Sequence, residues 1–158
     1  MWRTKGEGEL YTYLPSYENP GFESNKNLCN VAPSSHCNPT YGASVGRGAF
    51  DFKSGQWNTV SQRVRLNDVG KSNGELELFF NGVSVINVKG LKFRNNAQGR
   101  FRGLQAQTFF GGRFLRDNSS HGVRLSPRFF TGSKPEFASP KSQNTWFSDF
   151  SVAITKTL

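Results

Sequence analysis

Tyr11 and Tyr13 stand two residues apart in the run Gly-Glu-Leu-Tyr-Thr-Tyr-Leu-Pro, residues 8–15. In a β-strand that spacing sends both phenols to one face and Leu10, Thr12 and Leu14 to the other. The second set can join a core, so the first is presented outward as two neighbouring hydroxyls. Paired phenols on a sheet can hydrogen-bond a sugar. They can also move protons if a cation lowers a phenol from its ordinary pKa of about 10. The plainer reading is a half-buried strand with amphipathic tyrosines, and the segment alone leaves both open.

Gln105 and Gln107 form a second constellation. In a strand they share a face with Phe109, opposite Leu104, Ala106 and Thr108. Two amides beside an aromatic suit sugar hydroxyls or a carboxylate, and equally suit a solvated sheet face. Arg3 alternates onto the face of Met1 and is expected to border any cleft beside the tyrosine strand. Arg47, Arg63 and Arg65 are possible anion contacts but read more simply as surface charge. The histidines are poor candidates: His36 lies between cysteines, and His121 lies in the atypical segment 112–132. No CxxC pair or histidine cluster supports a metal site, so no metal or other cofactor is expected.

The elements that must position these groups are strands. Candidates are Met1–Thr4, Glu9–Leu14, Val45–Phe52, Thr59–Asn67, Gly74–Phe80, Val83–Val88, Phe101–Phe110 and Trp146–Ile154. Asn19-Pro20-Gly21, Lys53-Ser54-Gly55, Asn73-Gly74 and Asn81-Gly82 separate them as turns. Asn81-Gly82 has the composition of a two-residue primed hairpin turn. No segment sustains a 3.6-residue period. The pattern is an all-β antiparallel chain, a sandwich or jelly roll. Residues 16–43 read as a long, strand-poor loop able to wall one side of a cleft.

Length and charge narrow the function. The 158 residues suit one domain with a substantial core. There are 20% charged and 14% aromatic residues, which is not the composition of a disordered chain. No apolar run approaches the length of a membrane span, and no signal peptide follows Met1. The formal net charge is +9, which draws anionic partners. Its Lys and Arg are scattered singly without a nucleic-acid motif, so an acidic polysaccharide ranks above nucleic acid. The chain is expected to work as a monomer away from membranes.

The blocks Met1-Trp2-Arg3 and Gly6-Glu7-Gly8-Glu9-Leu10-Tyr11-Thr12-Tyr13-Leu14-Pro15 resemble the central part of polysaccharide lyase family 14. That family holds alginate and glucuronan lyases. Asn38-Pro39-Thr40-Tyr41-Gly42, Ser44-Val45-Gly46-Arg47-Gly48, Arg63-Val64-Arg65-Leu66-Asn67, Gln105-Ala106-Gln107-Thr108-Phe109-Phe110-Gly111-Gly112 and Trp146-Phe147-Ser148-Asp149-Phe150-Ser151 are similar to its fungal branch. The resemblance implies a jelly roll of two antiparallel sheets, of which this chain is the C-terminal portion, N-terminally truncated. It implies β-elimination on a uronic acid polymer. Tyr11 and Tyr13 would be acid, base or substrate-contacting groups, and the residue pattern adds Arg3, Gln105 and Gln107 as candidate substrate contacts. It also implies a Ser-x-Arg pair and a lysine upstream of Met1, outside this sequence, so the 158 residues are expected to be inactive or impaired. The rival is a non-catalytic carbohydrate-binding β-sandwich using the same surface. A family that is largely secreted implies an extracellular parent. It also favours a Cys29–Cys37 disulfide over two free thiols, which the short, turn-rich spacing permits.

Residues 112–132 depart from that resemblance. Four arginines and one aspartate give this segment +3, and a glycine stands at each end. The fungal pattern runs from Thr-Phe-Phe-Gly-Gly into Ser-Lys-Pro-Glu, so the segment reads as an insertion, either translated intron sequence or a genuine long loop. Deleting Arg113 to Gly132 is therefore expected to raise solubility and leave the melting temperature unchanged; a fall of several degrees would mean that the segment packs.

Overall fold

The structure is a computed structural model describing residues 1–104 and 145–154. The chain divides into two compact units, Met1–Phe101 and Arg102–Leu158. The first is mostly strands in two antiparallel sheets, as the alternation predicts for an all-β sandwich. One sheet has the order β1-β3-β2, with β1 Leu10–Thr12, β2 His36–Asn38 and β3 Gly42–Val45. The other has the order β4-β5-β6, with β4 Val60–Arg65, β5 Gly74–Phe80 and β6 Val83–Leu91. No helix among the described residues is long and apolar enough to cross a membrane.

Alternation decides which residues meet. In the first sheet Leu10 pairs with Val45, and Thr12 with Ala43, which pairs in turn with Cys37. In the second, Leu76 pairs with Val88 and Leu78 with Ile86. Leu10, Ala43, Val45, Leu76, Leu78, Ile86, Val88 and Leu91 form one buried core, joined by Leu28 and Phe50. Burying each large side chain contributes about 1.5–3 kcal/mol. Gly46 lets the sheets approach: it has φ +61°, and a Cβ there would lie 2.8 Å from Ile86 Cδ1. The Asn81-Gly82 turn has φ 49° and 81°, the primed geometry its composition predicts.

Several sequence expectations are corrected. Met1–Thr4 is not a strand: Trp2 makes one bridge to Gly8, and a 3-10 turn follows at Thr4–Gly6. The predicted Val45–Phe52 strand ends where it was meant to begin. Positive φ at Gly46 and Gly48 turns the chain away, and Asp51 then makes an isolated bridge to Glu7, outside the named strands. Residues 16–43 are more ordered than a loop. They hold a 3-10 helix, Glu23–Asn30, and the strand β2. In the second unit, 145–154 contains no strand, because alternation supplies a face but not a hydrogen-bonding partner. Most of the predicted Phe101–Phe110 strand, and all of 112–132, lie outside the described residues.

Side-chain amides fix the segments that strands do not. Asn25 Nδ2 donates to the carbonyls of Pro15 (2.9 Å) and Lys92 (3.0 Å), and its Oδ1 accepts from Lys92 N at 2.8 Å. One buried side chain thus ties the exit of β1 to the end of β6. Cys29 and Cys37 form a disulfide with a Cα–Cα distance of 5.4 Å, which anchors β2 to the 3-10 helix. Closing a loop this short is worth about 2.5 kcal/mol by loop entropy. Thiol counting on unreduced, denatured protein is expected to find no free thiol. The Cys29→Ser, Cys37→Ser double variant should lose about 2–3 kcal/mol in denaturant unfolding; two titratable thiols in the native chain would contradict the bridge.

Candidate functional site

The outer face of the β1-β3-β2 sheet carries the tyrosines. Leu10 and Thr12 are buried, Tyr11 is half-buried and Tyr13 is 67% exposed, so the two-residue period holds. The rings stand 5.2 Å apart at 56°. Both lean across Gly42, where a Cβ would meet Tyr13 Cδ1 at 3.2 Å and Tyr11 Cε1 at 3.3 Å. Gly42 also has φ +98°, so glycine there serves both the backbone and the rings. The Tyr11 hydroxyl donates to the Tyr41 carbonyl at 2.8 Å. A pocket lies at the end of β1, lined by Tyr13, Tyr17, Asn38 and Thr40 together with the core residues Leu28 and Ala43.

Glu9, two residues before Tyr11, falls on the same face, and its side chain has no exposed surface. A lone buried carboxylate is strongly disfavoured, and this one is paired on both oxygens. Oε1 accepts from Arg3 Nε at 2.8 Å. Oε2 accepts from Ser44 Oγ at 2.6 Å and Arg47 Nε at 2.8 Å. Burial alone would raise the Glu9 carboxyl; the hydrogen bonds from Arg3, Ser44 and Arg47 outweigh it and hold the group below the usual carboxylate range. Two guanidinium groups share one carboxylate, which leaves one positive charge in surplus. The Arg3 and Arg47 side chains remain 35% and 41% exposed, and each guanidinium carries five N–H donors, more than Glu9 takes up.

Tyr11 moves the other way. Burial raises its phenol above the ordinary value, and the neighbouring Tyr13 and Glu9 add to this against the opposing charge of Arg3. Tyr11 is therefore protonated at neutral pH and acts as a donor.

Sequence expectations meet the structure unevenly. Arg3 meets Glu9, the charges of both act on Tyr11, and Tyr11 packs against Tyr13. Gln105 and Gln107 lie outside the described residues. Arg47, read from sequence as plain surface charge, is a partner of the buried carboxylate. Arg63 and Arg65 do belong to a charged surface, on the other sheet: Arg63 reaches Glu77 at 2.9 Å, and Arg65 reaches Glu75 at 3.4 Å. Glu9 and Ser44 are not among the sequence candidates, and Arg47 is among them only as a possible anion contact. The same parity that pairs the tyrosines signals Glu9, but nothing local to it names its partners. Among the described residues, no three His, Cys, Asp or Glu side chains gather as a metal would need.

Glu9 generates a pH prediction. Its carboxyl is depressed in the folded chain, so its contribution is complete above the unfolded carboxylate pKa of about 4.3 and is lost as pH falls through the folded value. Glu9→Gln should cost about 2–4 kcal/mol at neutral pH by leaving two arginines without their counter-charge. It should also flatten the acid limb of stability against pH. Denaturant melts of both proteins between neutral and strongly acid pH measure this, and parallel profiles would contradict the assignment.

Comparison with known proteins adds to this geometry. The family model for polysaccharide lyase 14 matches residues 1–121. Among solved structures, the chain is similar to the marine PL-14 alginate lyase from Aplysia kurodai, with 31% identity and a TM-score of 0.45. The likeness covers 60% of this chain and 35% of that one, so the chain spans about a third of that enzyme's length. No curated protein matches. With the family matched over most of its length, and with the Tyr-x-Tyr strand inside the matched region, the chain belongs to polysaccharide lyase family 14.

Proposed function

We propose that the protein is a lyase of an anionic uronic acid polymer, glucuronan or alginate, cleaving by β-elimination without a metal. One observation carries this reading: the paired phenols of Tyr11 and Tyr13 share a sheet face with a buried Glu9 whose two arginines bring a surplus positive charge. β-Elimination removes the proton on C5 beside the carboxylate. The C5–H electron pair becomes the C4=C5 double bond, and the C4–O pair leaves with the glycosidic oxygen, which takes up a proton. The reaction needs a cation on the carboxylate, a base at C5 and an acid at the leaving oxygen. Arg3, with donors left over from Glu9, suits the carboxylate. Tyr11, protonated at neutral pH, suits the leaving oxygen. Tyr13, exposed beside it, contacts the sugar. Gln105 and Gln107 are proposed as further substrate contacts.

Lowering a phenol from about 10 toward 7 takes about 4 kcal/mol from nearby cations. Tyr11 is shifted upward instead, so a base role requires cations beyond those in these residues. The lysine and Ser-x-Arg pair that the resemblance implies are not in this sequence, and elimination by these 158 residues alone is proposed to be impaired. The upward shift also favours one second reading, a carbohydrate-binding face that holds the polymer without cutting it. The Cys29–Cys37 bridge supports an extracellular setting. The quoted sequence blocks support a place in the fungal branch and an insertion at 112–132, and the chain is proposed to act as a monomer.

The test is release of unsaturated uronate, read as ultraviolet absorbance. It would be run on polyglucuronate and alginate, with this chain and with a form extended at its N-terminus by the upstream residues that the resemblance implies. The extended form should cleave one polymer, and Tyr11→Phe or Tyr13→Phe should lose about 100-fold in rate, the scale of general acid–base help. Full activity in both variants would overturn the tyrosine roles, while binding without release would support the second reading.

A further inference from the structure

His36 lies outside the family blocks, and its place between the cysteines makes it a poor candidate in sequence. The register changes its standing. Tyr11 pairs with Ser44 across β1 and β3, and Ser44 pairs with His36 across β3 and β2. Directly opposed residues share a face, so Tyr11, Ser44 and His36 form one row on the outer face. Two strand spacings separate the ends of that row, about 10 Å between Cα atoms. Ser44 between them is small and 5% exposed, its hydroxyl already committed to Glu9. It forms a floor rather than a barrier.

A covalent constraint fixes which way β2 faces. Cys37 pairs with Ala43, whose side chain is in the core, and the bridge to Cys29 holds Cys37 on that inner side. Successive strand residues point to opposite faces. The bridge that commits Cys37 inward therefore commits His36 outward, onto the tyrosine face. A one-residue slip, which would exchange them, is blocked. His36 is exposed and makes no side-chain hydrogen bond among the described residues. At least one of its ring nitrogens is a donor.

We propose that His36 is a substrate-contacting residue of this face. It donates to a uronate-bearing saccharide that lies over Ser44 with its other edge against Tyr11 and Tyr13. The proposal rests on the lyase or uronate-binding reading above and names a specificity-determining group within it. Arg47, anchored to Glu9 and within 3.3 Å of Ser44 Oγ, adds positive charge beside the same floor.

The experiment titrates the full chain with a glucuronate tetramer, a mannuronate tetramer and a neutral glucose tetramer, by calorimetry and by ring-proton resonances of His36. Wild type should bind an acidic tetramer and not the neutral one, with the His36 ring signals shifting. His36→Ala should weaken that binding about tenfold, the scale of one hydrogen bond to a charged group, at an unchanged melting temperature. His36→Gln, which keeps a donor, should retain most of the affinity. It also serves as the readout if the alanine variant is destabilised. If His36→Ala binds as wild type does while Tyr13→Ala binds weakly, the His36 role is overturned and the tyrosine face stands. If wild type binds no acidic tetramer, both fall.

Discussion

The Glu9 carboxylate is the interaction on which the outer sheet face depends. It is charged, has no exposed side-chain surface, and immediately precedes a strand only three residues long. So short a strand has little ladder of its own to hold it in register. The carboxylate supplies what the ladder does not. Through Arg3 it takes hold of the segment before β1, through Ser44 it grips β3, and through Arg47 it grips the turn after β3. Removing either cation leaves part of a buried charge uncompensated, which costs more than the pair contributes. The exposed ends of the same arginines supply the positive charge beside the phenols, so stability and site electrostatics share one set of atoms.

The rest of the face is held by small devices suited to a region with little regular pairing. Gly42 removes a side chain so that two tyrosine rings can cross β3. The disulfide holds β2 and fixes its facing. Asn25 replaces strand hydrogen bonds between the exit of β1 and the end of β6. Asn67 does the same for the loop between β4 and β5, donating to Asp68, Lys71 and Arg94 and accepting from Phe93 and Arg94. Buried backbone groups must be paired, and in short-stranded structure amide side chains are the available partners.

The two sheets divide the labour. The β4-β5-β6 sheet has the longer strands, and its Arg63–Glu77 and Arg65–Glu75 pairs close on themselves across the strands. Opposite charges matched in register leave little field to attract a ligand. On the β1-β3-β2 sheet the match is deliberately incomplete in number, two arginines to one carboxylate. A basic chain thus concentrates an unbalanced charge where its phenols are.

The sequence by itself determined the all-β class, the hairpin at Asn81-Gly82, the outward facing of Tyr11 and Tyr13, and the family. Each follows from local pattern: a two-residue period, a turn composition, and ordered blocks of residues. The tertiary structure alone decided which polar residues join the tyrosines. Glu9 finds Ser44 and Arg47 at separations of 35 and 38 residues, and Tyr11 finds the Tyr41 carbonyl at 30. Period says which face a side chain takes, but not which strand lies beside it. His36 shows the difference most plainly. In sequence it is a loop residue between cysteines; in the fold it stands in a row with Ser44 and Tyr11, because strand order and register are set by packing that no local window contains.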